Sequence, residues 1–158
     1  MKTVEKALSL MDELKDSNKF LEVACGCAEM SIEASKIVKE VHCIDLDDFR
    51  LRSNIHEYDN VHFKKMDATN MGYEDNTFDI VVIYNAVKHL DTVLQEIIRE
   101  CTRVLKDNGK LYIISTFSID KPIIKTELPR ILGGLNLEFI SLSKGKLEGI
   151  EVTNIIKC

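Results

Sequence analysis

The residues able to do chemistry fall in four short stretches. In FLEVACGCAEMS, Phe20 to Ser31, the acid Glu22 precedes a turn in which Gly26 stands between Cys25 and Cys27. Asp45 ends the run EVHCID, Asp67 follows VHFKKM, and Asn85 and His89 follow FDIVVIY. Two thiols around a glycine raise the question of a metal or redox centre. Zinc normally takes four ligands, whereas C-x-C supplies two and no His and Cys cluster lies nearby; Cys43 is the further thiol able to approach them. Cys25 and Cys27 therefore read as small loop fillers, and no metal is expected. The carboxylates suit another task. An aspartate at a strand end can accept both hydroxyls of a ribose, and an imidazole beside a crevice can take a proton from a hydroxyl or amine. Each also has a plainer use: Asp45 and Asp67 as caps of the next turn, His89 as a helix-face residue bonded to a carbonyl.

An alternation of strands and helices must position these side chains. Val4, Ala7, Leu8, Met11 and Leu14 share one face at helical spacing, so residues 2–16 are expected to form an amphipathic helix ended by Asp16-Ser17-Asn18. KFLEVAC is a short apolar run between polar turns, the mark of a strand covered on both faces. Residues 29–39 return as a helix to a second strand, EVHCIDL, which makes a parallel crossover. Residues 47–58 are expected as a helix with Phe49 and Ile55 inward, NVHFKKM as a third strand and FDIVVIYN as a fourth. Leu94, Ile97, Ile98, Cys101, Val104 and Leu105 give the cleanest helical period, with Asp91 as N-cap and Gly109 as the stop. KLYIIST follows as a fifth strand. A helix near 123–132, interrupted by Pro129 and closed by Gly133-Gly134, leads to LNLEFISLS and IEVTNIIK. The short KGKLEG between these last two forces an antiparallel hairpin.

The bulk properties narrow the function. A chain of 158 residues with 45% hydrophobic and 30% charged residues is that of an ordinary folded protein with room for one core. A net charge of −5 without a basic run makes nucleic acid an unexpected partner. No apolar run is long enough to span a membrane, and the N-terminus lacks a signal peptide's apolar core. The 5 cysteines show no disulfide spacing, so reduced thiols and a cytoplasmic location are expected.

In an open α/β sheet the ligand crevice lies beyond the carboxyl ends of the strands, where strand order reverses. Those ends are Glu22 to Ala28, Asp45-Leu46, Asp67-Ala68 and Tyr84-Asn85. A tight first turn of small residues lets backbone N–H groups approach a ligand. Asp45 stands 23 positions after Glu22, close to the offset of about 20 expected between a nucleotide loop and its ribose acid.

Taken together, LEVACGCAEMSIEASKIVKEVHCIDLD, KKMDATNMGYEDNTFDIVVIYNAVKHL and EIIRECTRVLKDNGKLYII resemble the class I S-adenosylmethionine-dependent methyltransferases, the small-molecule group in particular. The resemblance runs from about Phe20 to Ser115 and rests on the order and spacing of its motifs. It implies an α/β fold: a Rossmann-like three-layer αβα sandwich with a mostly parallel seven-stranded sheet ending in an antiparallel C-terminal hairpin. It also implies a single methyltransferase-like domain over 1–158, with an N-terminal helix in 1–19, a cofactor-binding core in 20–116 and a C-terminal helix and hairpin in 117–158.

By the same resemblance the cofactor is S-adenosyl-L-methionine, the product S-adenosyl-L-homocysteine, and the partner a small-molecule methyl acceptor. Glu22, Ala24, Cys25 and Gly26 would cradle the methionine part, Asp45 the ribose hydroxyls, and Leu46 the adenine face. Asp67 and Ala68 would meet the adenine edge, with Asp67 accepting from the exocyclic amine. Asn85 would line the methionine end, and His89 is the candidate general base.

The chain departs from the family in its first loop, which usually reads acidic-x-Gly-x-Gly-x-Gly and here has Ala24 and Ala28 in place of two glycines. If those positions need positive φ, each substitution adds strain of order 1 kcal/mol. Two other readings stay open. One is a catalytically weak or silent binding subunit, suggested by the lost glycines and by the absence of an insertion to cover the crevice; a homodimer or partner chain would then supply the cover. The other is an NAD-dependent oxidoreductase, whose fingerprint would fall on Ala24, Gly26 and Glu29 and keep only the central glycine.

Overall fold

The computed structural model describes residues 2–154. Seven strands form one sheet: β1 (Lys19–Val23), β2 (Glu40–Asp45), β3 (Val61–Lys65), β4 (Phe78–Tyr84), β5 (Leu105–Ser115), β6 (Phe139–Lys144) and β7 (Leu147–Thr153). Their order is β3-β2-β1-β4-β5-β7-β6. The first five pair in parallel, and β7 lies antiparallel between β5 and β6. This is the expected mixed sheet with a terminal hairpin. The hairpin turns at Gly145, whose φ of +61° is open to glycine at no steric cost. The end of IEVTNIIK and Cys158 lie outside the described residues.

Strand alternation divides the core in two. Leu21, Val23, Val81, Ile83, Leu111 and Ile113 face one side of the sheet, where α3 (Leu94–Val104) and α4 (Leu128–Gly134) cover them with Leu94, Ile97, Ile98, Leu128 and Leu132. Phe20, Ile80, Val82, Tyr112 and Ile114 face the other side, under α1 (Thr3–Leu8) and α2 (Glu29–Ala34). Three layers follow, and β1 and β4 are central because both of their faces are apolar. Phe20, Leu21, Val23, Val81, Val82 and Ile83 are fully buried, a gross contribution on the order of 10 kcal/mol. Asp79 fixes their register from below, its carboxylate accepting the N–H groups of Asn18 (3.0 Å) and Lys19 (2.9 Å).

The helices differ from expectation where polar side chains compete for the backbone. The N-terminal helix covers only Thr3–Leu8, followed by a 3-10 turn at Leu14–Asp16; the Ser9 hydroxyl donates back to the Lys6 carbonyl at 2.6 Å, where the helix stops. Residues 47–58 form no α-helix. Asp47 accepts the Phe49 N–H at 3.1 Å, an Asx turn that replaces a helical bond, and only Ile55–Glu57 coil, as a 3-10 turn. Ile55 still packs inward, whereas Phe49 is 90% exposed. Val93, not Asp91, precedes α3, because Asp91 is engaged by Lys88 at 2.9 Å. Gly109 lies inside β5, packed against the Lys106 and Asp79 carbonyls, since the chain turns directly from α3 into the strand. Pro129 does not interrupt its helix; it sits in the first turn of α4, directly after a π-helical turn at Ile123–Glu127.

The order of strands reverses between β1 and β4, with β2 and β3 on one side and β5 on the other. A crevice opens at the carboxyl ends of these strands.

Candidate functional site

A cleft of about 560 Å³ occupies this crevice, within the range of small-molecule sites. Glu22, Ala24, Cys25, Gly26, Asp45, Leu46, Asp67, Ala68, Asn85 and His89 all line it, so the four sequence stretches converge as anticipated. A second hollow of about 570 Å³ lies between residues 69–74 and α3. Its inner arginine, Arg103, is spent on Glu100, Asp75 and the carbonyls of Met71 and Tyr73, which is a structural role.

Asp45 ties the cleft together. Its Oδ2 accepts the Gly26 N–H at 2.9 Å and its Oδ1 the Leu46 N–H at 2.8 Å, which locks the first loop to the end of β2. A carboxylate offers about four lone-pair sites, so acceptor capacity remains for a pair of vicinal hydroxyls. Leu46 is 73% exposed beside it, an apolar surface on the wall of the cleft. Asp67 is equally prepared: both Thr69 donors, N–H at 2.9 Å and hydroxyl at 2.7 Å, fall on Oδ1 and leave Oδ2 unspent. These two bonds hold its carboxyl below the usual range.

Glu22 behaves differently. It is buried, and its Oε1 accepts the Ser31 hydroxyl at 2.7 Å and the Ser31 N–H at 3.1 Å, which anchors the start of α2 to β1. Burial outweighs these bonds and pushes its pKa up to about 8, with Glu29 and Asp45 adding to the rise. Glu22 is thus a neutral acid at pH 7.

The first loop runs through positive φ at Ala24 (56°), Gly26 (54°) and Ala28 (64°). The strained alternative therefore holds at both alanines, though their methyls part company. Ala28 is buried in the core on the α2 side, and only Ala24 lines the cleft. Replacing Ala24 with glycine is expected to raise Tm by about 2–4 °C, the effect of relieving about 1 kcal/mol in a chain of this length. A thermal melt checks this, and a lowered Tm would show that the methyl's packing outweighs its strain.

Cys25 is buried, and a hydrogen bond to Cys43 together with burial pushes its thiol up, so it is no nucleophile. Cys43 does reach Cys25, yet among the described residues no group of three or more His, Cys, Asp or Glu is arranged to hold a metal. Asn85, at φ 53°, turns its carbonyl oxygen to the end of β5, where it accepts from the Thr116 N–H at 2.8 Å. Ser115 donates to the buried Asp120 at 2.6 Å, and Asp120 accepts the Lys88 N–H at 2.9 Å. This chain of bonds fixes the 3-10 turn Val87–Leu90, which carries an exposed His89 at the cleft mouth.

Sequence reasoning missed several lining residues, among them Glu29, Arg50, Val93 and Phe117. Phe117 was within reach of the strand-end rule, since it stands just after β5. Arg50 was not, because its segment reads as helical.

The cleft thus offers two carboxylates with acceptor capacity to spare in Asp45 and Asp67, an exposed apolar side chain in Leu46, and a first loop where Gly26 carries no Cβ. A family model described as a methyltransferase domain matches residues 21–113. The chain belongs to this family. It is a class I S-adenosylmethionine-dependent methyltransferase by family, as its motifs implied.

A demethylmenaquinone methyltransferase of Staphylococcus haemolyticus is 31% identical over 118 residues, covering 71% of this chain and 49% of the relative. A ubiquinone/menaquinone biosynthesis C-methyltransferase of Blochmanniella floridana is 33% identical over 116 residues, covering 68% and 45%. The chain spans about half the length of these curated relatives. Among solved structures, a SAM-dependent methyltransferase from Aquifex aeolicus superposes with a TM-score of 0.82 at 21% identity, covering 97% of this chain and 90% of that one. At that identity the likeness carries the fold, and it agrees with the Rossmann-like sandwich described above.

Proposed function

We propose that the cleft holds S-adenosyl-L-methionine and that the chain transfers its methyl group to a small-molecule acceptor. The observation that carries this reading is the bond from the Gly26 N–H to Asp45, which ties the loop that would border the tail to the carboxylate that would hold the ribose. When bound, the cofactor would supply a methyl activated by its sulfonium, taken in line by the acceptor's nucleophile as the neutral thioether of S-adenosylhomocysteine leaves. The protein's share is alignment and exclusion of water, and alignment alone supplies about 7–11 kcal/mol of such a barrier. Asp45 would hold the ribose, Leu46 would cover the adenine, Asp67 and Ala68 would meet its edge, and Ala24, Cys25 and Gly26 would border the tail. Glu22 would brace the first loop through Ser31.

The acceptor would enter between His89, Val93 and Phe117. Val93 and Phe117 are exposed apolar side chains on the β4 and β5 side of the cleft, as is Leu46 on the β2 side. Such a rim supports an acceptor with an apolar face, and the Staphylococcus haemolyticus relative is named for demethylmenaquinone. The free thiols of Cys25, Cys27, Cys43 and Cys101 support a cytoplasmic setting. No helix among the described residues is long and apolar enough to cross a membrane. The direct test is calorimetry with S-adenosylhomocysteine; failure to bind at millimolar ligand would overturn the reading.

His89 would remove the acceptor's proton. With a demethylmenaquinone-type acceptor, His89→Gln is expected to lower kcat by about 10²-fold or more with little change in KM. An unchanged kcat would remove His89 from the chemistry.

The same exposed rim supports a second reading, in which a second copy or a partner chain covers the open crevice and this chain only binds. Light scattering decides: a monomer that turns over a methyl acceptor excludes it.

A further inference from the structure

Resting on the cofactor reading above, we propose that Arg50 and Glu29 form a clamp for the zwitterionic tail of the cofactor, Arg50 taking the α-carboxylate and Glu29 the α-ammonium. Neither residue was assigned to the cofactor by the family's motifs, and both face the same cleft.

The case begins with the charges along the cleft and what each already holds. Asp45 accepts two backbone N–H groups, Asp67 both donors of Thr69, and Asp47 the Phe49 N–H. Glu22 is buried against Ser31. Two charged side chains remain, Arg50 and Glu29, and among the described residues neither has a hydrogen bond or an ion pair. They do not pair with each other either. An arginine has five N–H donors and no acceptor, so this one presents all of its recognition capacity to the open cleft.

Their placement matches a ligand with two opposite charges. The Arg50 guanidinium lies over Gly26, its central carbon and one terminal nitrogen 3.4 Å from where a Cβ would stand. Glu29 opens α2 at the far end of the same loop, close enough to Glu22 and Tyr84 to raise both of their pKa values. A cation and an anion thus flank the loop that would border the tail. A plain anion such as phosphate would meet Arg50 but be repelled by Glu29 and Asp45. A plain cation would meet the reverse. An α-amino acid satisfies both, and a planar guanidinium is suited to a carboxylate.

Calorimetry with three ligands separates this from a general effect on the cleft. S-adenosylhomocysteine carries both tail charges, decarboxylated S-adenosylmethionine lacks the carboxylate, and 5′-methylthioadenosine lacks the whole tail. Arg50→Gln is expected to weaken S-adenosylhomocysteine by about ten-fold or more, the scale of one charge-assisted hydrogen bond, and to leave the other two ligands within about two-fold. Glu29→Gln is expected to weaken both ammonium-bearing ligands and spare 5′-methylthioadenosine. Equal losses for all three ligands, or no loss, would overturn the clamp while leaving the cofactor site intact. Wild-type protein that binds none of them would overturn the functional reading and the clamp with it.

Discussion

An Asp45→Ala variant is expected to bind S-adenosylhomocysteine about 100-fold more weakly than wild type while still melting cooperatively. A hydrogen bond to a charged group is worth about 1.5–3 kcal/mol. Asp45 would make two of them to a ribose diol, and losing about 3 kcal/mol corresponds to roughly two decades in Kd. The variant also frees the Gly26 N–H, which loses its 2.9 Å partner, so the first loop is less firmly held before any ligand arrives. Stability falls less than affinity, because Asp45 is only half-buried and water can take over the freed N–H groups. Asp45→Asn keeps one acceptor without the charge and is expected to fall between, about ten-fold weaker. Calorimetry gives the affinities, and circular dichroism confirms the fold. Wild-type affinity in Asp45→Ala would remove the residue from the site.

The sheet was legible because its strands are buried on both faces. KFLEV and FDIVVIY read as continuous apolar runs, and such runs have few alternatives. Once the strands are placed, their carboxyl ends are placed too, which is why Glu22, Asp45, Asp67 and Asn85 reach one cleft. The short elements were less legible because single side-chain bonds decide them. Asp47 captures the Phe49 N–H and dissolves the helix expected over 47–58, which turns Phe49 outward and releases Arg50 toward Gly26. Asp91 similarly prefers Lys88 to the end of α3.

Contacts distant in sequence were not legible at all. Asn85 is bonded to Thr116, and Asp120 to Lys88, across some 30 residues in each case. No local pattern announces such pairs, yet they hold the turn that carries His89. The loop strain sits between these extremes: the two alanines were visible in the sequence, but the sign of φ at Ala24 and Ala28 needed coordinates.

Glu22→Gln should change how stability depends on pH more than any other single substitution. Burial raises the folded pKa of Glu22 from 4.5 to about 8. Below 4.5 the carboxyl is protonated in both the folded and the unfolded chain, and its contribution to folding is fully present. As pH rises from there, the unfolded chain releases the proton while the folded chain keeps it. Stability is therefore lost with rising pH until the folded pKa is passed near pH 8. The total loss is of order 5 kcal/mol, or roughly 10–20 °C in Tm for a chain of this size. Glutamine cannot ionise, keeps nearly the same volume, and still offers a carbonyl oxygen to the Ser31 N–H and hydroxyl. The variant should match wild type near pH 4.5 and exceed it increasingly toward pH 8, and taking the difference between the two cancels every other titrating group. Melts at half-unit pH steps measure it. Parallel profiles would mean that Glu22 is ionised in the folded protein, with its charge balanced inside the cleft rather than suppressed by burial.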